Sequence, residues 1–193
     1  MKLPFRKLLI PVLLLLLSIG FGLGFDAAAT ALERKKYPRP QRYAALIEEQ
    51  AEAFGIPSPI LWSMVCCESG FVSNALSEDG AVGLLQITPA RMEQVYDEIL
   101  REPIPDAGIL YDPQTNLRVG AAMLSSLYQK YGVWNAVFAA WHAGSEAVDL
   151  WLADPDCLNG QGQLTNVPDT ATAKFISEVE TAAEMYTKLY FES

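Results

Sequence analysis

Beyond residue 40, apolar residues recur at helical spacing and the breaks between them carry helix punctuation. "QRYAALIEEQAEAFG" places Tyr43, Ala44, Ile47, Ala51 and Phe54 on one face and ends at Gly55. "SPILWSMVCCESG" predicts a helix with Ser58 as cap, Pro59 at its first position and a stop near Gly70. "TPARMEQVYDEIL" repeats the device with Thr88 and Pro89, and "DPQTNLRVGAAMLSSLYQKYG" with Asp112, Pro113 and a closing Gly132. "VWNAVFAAWHAG" reads as a short buried helix ending at Gly144, and "SEAVDLWLA" as a helix capped by Ser145. A last helix is predicted over roughly residues 170–190. Between the second and third helices, "FVSNALSEDGAVGLLQI" reads as turns, or at most a small hairpin, around Gly80 and Gly83. The expected fold class is mainly α: one helical domain over 41–193 with a loop-rich middle.

One of these helices ends oddly. Ile60, Leu61, Trp62, Met64, Val65, Cys66 and Cys67 form a nearly unbroken apolar run that finishes on Glu68. A carboxyl there lies near the core and at the negative pole of its helix. Both settings disfavour ionisation, and a carboxyl that keeps its proton near neutrality can serve as a general acid. The plainer alternative is a Glu that turns outward at the helix end and is solvated.

The N-terminus changes the picture of the whole. Lys2, Arg6 and Lys7 precede an uncharged run from Leu8 to Phe25, the pattern of an export leader. The run is also close to bilayer length, so residues 1–31 read either as a cleaved signal peptide or as a membrane anchor through 8–25. A basic linker over 32–40 follows. Residues 1–40 hold seven of the 14 Lys and Arg but two of the 23 Asp and Glu, which leaves 7 basic against 21 acidic residues beyond them, a net −14. A domain so acidic is a poor nucleic-acid binder, because that binding rests on Lys and Arg at phosphates. The three cysteines, Cys66, Cys67 and Cys157, read as small buried hydrophobes, with a bridge from Cys157 to one of the others as the alternative.

Several chemistries fall away. The single histidine, His142, and the cysteine spacing do not make a metal site. No nucleophile-elbow pattern surrounds a serine, and no glycine-rich phosphate loop follows a strand. No cofactor is expected. The carboxylates remain.

Four short stretches occur in order: "ESGF", "NALSEDGAVGLLQITP" (74–89), "NLRVGAAML" (116–124) and "AAWHAG" (139–144). Together they closely resemble the soluble (SLT) type lytic transglycosylase domain, which has a lysozyme-like fold; the resemblance covers roughly 43–190. It implies cleavage of the β-1,4 bond between N-acetylmuramic acid and N-acetylglucosamine in peptidoglycan, in the periplasm or cell envelope. The C6 hydroxyl of the substrate attacks the anomeric carbon and leaves a 1,6-anhydro product, so one Glu serves as acid and then as base. By the resemblance Glu68 is that residue. Ser69, Ser77 and Gln86 would line the cleft, with polar helix end and turn roles as their plainer alternatives. On the plainer reading Gly83 serves a tight turn and Leu84, Leu85 and Ile87 pack the core, while Asn116 and Gly120 match a pattern whose role is structural: a helix start and a close helix crossing.

Two departures stand out. The family pattern "AYNAG" reads "AWHAG" here, so Trp141 replaces a Tyr and His142 an Asn. Trp141 would keep a flat face for a sugar. The pattern "PxPETRxYV" reads "PDTATAKFI" (168–176), which puts Ala171 at a usual Glu and Phe175 at a usual Tyr. Two rival readings follow: a lysozyme-type hydrolase using Glu78 or Asp79 as second carboxyl, and a glycan-binding module that has lost catalysis.

Overall fold

The computed structural model describes residues 28–192. The leader over 1–31 therefore lies mostly outside the described residues. The chain divides into two units, 1–38 and 39–193. In the first, residues 28–36 are helical (α1), so helix occupies much of the expected 32–40 linker. No helix among the described residues is long and apolar enough to cross a membrane.

The second unit is helical, and no sheet occurs among its described residues. Its helices are α2 (Gln41–Phe54), α3 (Ser58–Ser69), α4 (Pro89–Gln94), α5 (Pro113–Tyr131), α6 (Trp134–Ala143), α7 (Ser145–Ala153) and α8 (Thr170–Tyr186). On α2, Tyr43, Ile47, Gln50 and Ala51 are buried, a one-sided stripe at helical spacing. In α3, Leu61 through Val65 are all buried, and in α6, Ala136 through Trp141 are. Helices buried all round are central ones. Accordingly α8 packs on both α3 and α6, while α5 packs on α2 and α6.

The proline and glycine punctuation sets most helix ends. Gly55, Gly70 and Gly132 follow α2, α3 and α5 in the left-handed conformation. Two expected caps are corrected. Ser58 is inside α3 with Pro57 before it, because its hydroxyl is drawn to Glu48 instead. Ser145 is likewise the first residue inside α7, with Gly144 before it in the cap position and no side-chain cap. Two helices also end differently from their apolar pattern. α4 gives way to a wider π turn over Val95–Leu100, and α8 to one over Thr187–Phe191.

The middle segment contains turns and isolated bridges, Leu76 to Val82 and Val82 to Ile87, rather than a hairpin ladder. It is nevertheless anchored. Leu84, Leu85 and Ile87 are fully buried. Asn116, also fully buried, accepts from the Leu85 N–H at 2.8 Å and donates to the carbonyls of Val82 at 2.8 Å and Leu110 at 3.0 Å. Gly83 has a φ of 80°, and a Cβ there would strike the Asn116 amide; a Cβ on Gly120 would strike Leu85. One buried amide and two missing side chains thus seat the 82–87 segment on α5.

Candidate active site

Glu68 sits in the last turn of α3, half-buried, just before Gly70 turns the chain away. Ser69 fixes that end: its hydroxyl donates to the Leu84 carbonyl at 2.8 Å, tying α3 to the anchored middle segment. From α6, the Trp141 indole N–H donates to Glu68 Oε1 at 2.6 Å. Glu68 Oε2 accepts no hydrogen bond from the described residues. Oε2 is not among the fully buried side-chain atoms that lack a partner there, so it is not wholly shut off from solvent.

Burial pushes the Glu68 carboxyl up to about 7, against the opposing pull of the Trp141 N–H and the charge of Arg91. No second carboxylate contributes to this among the described residues. Glu48 is an internal comparison, since it also receives a tryptophan N–H. Its Oε1 accepts from Trp62 at 2.9 Å and from Arg39 at 2.7 Å, and its Oε2 from the Ser58 hydroxyl. Burial raises Glu48 too, yet Ser58, Trp62 and Arg39 together bring it below its ordinary value. Three donors, one of them a touching cation, keep Glu48 ionised as a lock between α2 and α3. A single donor and a cation held off by a residue leave Glu68 able to carry a proton.

Arg91 is that cation, and sequence reasoning missed it. It lies in the first turn of α4, where its own N–H is capped by Thr88 Oγ1 at 3.3 Å. Its guanidinium donates to the Trp141 carbonyl at 2.8 Å and lies 6.0 Å from the Trp141 ring centre. It forms no direct ion pair among the described residues. Its outer side lines a cavity of about 510 Å³ between α4, α5 and the α6–α7 junction, which does not include Glu68. The available signal was charge: Arg91 is one of few cations in an acidic domain, two residues after the "GLLQITP" stretch.

The other expected site residues fall into two groups. Ser77 and Gln86 serve their own turn. Ser77 Oγ accepts from the Ala81 N–H at 3.0 Å, and Gln86, at a φ of 48°, donates to the Gly83 carbonyl at 2.9 Å. Both remain half-buried. Trp141 is not the open sugar face expected of it, because its ring is 2 % exposed and only its N–H reaches the site. An exposed ring lies one residue on. His142 tilts against the half-buried Phe175 of α8 with ring centres 5.0 Å apart. His142 Nδ1 lies 2.9 Å from Thr172 Oγ1, and the Thr172 hydroxyl donates to Asp169. That hydroxyl has one proton, so it accepts from His142, and Nδ1 is the protonated nitrogen. Ala171, exposed at the start of α8, leaves the position of the family's usual Glu without a polar group. The rival second carboxyls, Glu78 and Asp79, are both exposed on the turn that Ser77 closes. None of the three cysteines is in a disulfide, and burial pushes the Cys67 thiol up to about 12.

Comparison with known proteins bears on the family and the fold. The Transglycosylase SLT domain model matches residues 45–161. Membrane-bound lytic murein transglycosylase C of Cronobacter sakazakii is 25% identical over 169 residues, 77% of this chain and 47% of that protein. The soluble lytic murein transglycosylase of Escherichia coli is 27% identical over 143 residues, 72% of this chain and 22% of that protein. Among solved structures, an inactive Glu-to-Gln mutant of the lytic transglycosylase Slt from Pseudomonas aeruginosa superposes with a TM-score of 0.70 at 27% identity, covering 79% of this chain and 24% of that one. The 70 kDa soluble lytic transglycosylase of Escherichia coli shares the fold, with a TM-score of 0.73 over 81% of this chain and 25% of that one. This chain spans less than half the length of these curated relatives.

Proposed function

This chain belongs to the transglycosylase SLT domain family, and from that premise we propose that it is an exported peptidoglycan lytic transglycosylase with Glu68 as its single acid and base. The observation that carries the reading is the setting of Glu68: a carboxyl raised to about 7, with Oε1 held by the Trp141 N–H and Oε2 not wholly shut off from solvent. Because Oε1 accepts the indole proton, Oε2 is the oxygen that carries the acid's own proton. It gives that proton to the glycosidic oxygen as the bond from the muramic C1 breaks, and the glucosamine leaves as an alcohol. The Trp141 N–H and the Arg91 charge stabilise the carboxylate that remains. The muramic C6 hydroxyl then bonds to C1 and passes its proton to Glu68, which closes the 1,6-anhydro ring and restores the acid. No water enters, so no second carboxylate is needed to position one, in contrast to ordinary glycosidases.

The departures that raised the glycan-binding alternative are compatible with catalysis. Trp141 keeps a donor on the acid, an N–H where the family's Tyr has a hydroxyl. The aromatic contact to sugar passes to His142 and Phe175, with Ser69, Ser77 and Gln86 bordering the cleft. Residues 1–31 export the domain to the periplasm or envelope, as a cleaved leader or as an anchor, and the partner there is the peptidoglycan glycan strand.

The test is digestion of purified cell-wall sacculi by wild type and by Glu68→Gln. The variant should lose about a hundredfold or more in rate. Unchanged activity in the variant, or wild type that binds sacculi without releasing muropeptides, would overturn the proposal.

A further inference from the structure

From the contacts around Trp141, we infer that Arg91 is a positioning residue for the acid: it clamps the C-terminal end of α6 so that the Trp141 indole N–H stays on Glu68, and its charge stabilises the carboxylate once the proton has left. This rests on Glu68 being the acid and base. The last four carbonyls of a helix lack intrahelical partners. In α6 the Gly144 N–H takes the carbonyl of Ala140, and Arg91 takes that of Trp141. A cation at that pole also complements the α6 dipole. The same residue thus grips the backbone of Trp141 while the side chain of Trp141 grips Glu68, at 2.8 Å and 2.6 Å.

The burial of Arg91 carries a cost. It is the third residue of the six-residue α4. Burial lowers its proton affinity, and it has no direct ion pair in compensation among the described residues. A domain with 7 basic and 21 acidic residues beyond residue 40 has many acids to pair with. Local rules broken in this way mark a position whose benefit lies elsewhere in the molecule, here at α6 and Glu68. By stopping one residue short of the carboxylate, Arg91 lends its charge without occupying Oε2.

The other ionisable groups near Glu68 do not supply this effect. On α3 itself these are Cys66 and Cys67; from α8, Glu178 acts on Cys67, and Tyr186 is coupled to both thiols. On α6, His142 is engaged with Thr172. Glu78 and Asp79 of the middle segment are exposed. Arg91 is the cation that acts on Glu68.

The test follows the carboxyl of Glu68 directly, by ¹³C NMR titration of Glu-labelled protein, in wild type, Arg91→Met, Arg91→Lys and Trp141→Phe. Glu68→Gln identifies the resonance. In Arg91→Met the midpoint should move up by roughly half a pH unit or more; Trp141→Phe should move it up as well, and Arg91→Lys should restore most of the shift. On sacculi, the falling alkaline limb of kcat should move with it, while kcat at the optimum drops and KM changes little. A Glu68 midpoint unchanged in Arg91→Met, with Trp141→Phe shifted, would overturn the inference. Because the titration needs no turnover, it stays decisive if the proposed reaction proves wrong. Should Arg91→Met fail to fold, Arg91→Gln and Arg91→Lys give the same comparison.

Discussion

Replacing Glu68 by Gln should make the folded protein more stable in mild alkali and leave it nearly unchanged in acid. The carboxyl sits at about 7 in the folded chain against an ordinary 4.5. Between those values the folded state holds a proton that the unfolded state has released. Unfolding then releases a proton, so stability falls as pH rises through the window, and above about pH 7 the loss is complete. At 1.36 kcal/mol per pH unit, the ionised acid costs the fold roughly 3 kcal/mol relative to the protonated one. Gln carries no such cost, and its amide oxygen can still accept the Trp141 N–H. Urea unfolding of both proteins at about pH 4 and about pH 8.5 measures the effect. The expected result is near-equal stability in acid and an advantage of about 1–3 kcal/mol for Glu68→Gln in alkali. A difference between the two proteins that does not change with pH would refute the burial argument, whatever the variant does to activity.

Two further perturbations address the scaffold beneath the site. Asn116→Ala removes three buried hydrogen bonds and leaves the Leu85 N–H and two carbonyls without their partner. It should cost about 2–4 kcal/mol in denaturant unfolding, and a loss below about 0.5 kcal/mol would contradict the role of Asn116 as anchor. Gly120→Val would drive a side chain into Leu85. It should destabilise by about 1–3 kcal/mol and lower kcat as the 82–87 segment shifts, whereas an unchanged melting temperature and rate would show that α5 yields there.

The helices were legible because their ends obey local chemistry. Pro113 with Gly132, and Pro59 with Gly70, bracket α5 and α3 by backbone conformations that neighbours hardly alter. Ser58 and Ser145 misled for the opposite reason. A serine beside a proline or glycine is a cap by local rules, but Glu48 offered the Ser58 hydroxyl a stronger partner. The π turns after α4 and α8 add a residue that periodicity does not register. At the site, the apolar run before Glu68 foretold its burial. The partners of Glu68 did not show, because Trp141 is 73 residues away in sequence and its ring direction depends on how α6 meets α3. An indole can offer a face or an N–H, and packing chose the N–H. Arg91 reaches the site through a backbone carbonyl 50 residues on, a contact for which side-chain patterns carry no signal.

In the proposed reaction Glu68 works without a water nucleophile. Digestion of purified sacculi in ¹⁸O-labelled water, followed by mass spectrometry of the released muropeptides, tests it most directly. The expected products are 1,6-anhydromuramic ends that lack the mass of one water and carry no ¹⁸O, formed by wild type and not by Glu68→Gln. Reducing ends labelled with ¹⁸O by wild type would contradict it and assign the site to hydrolysis.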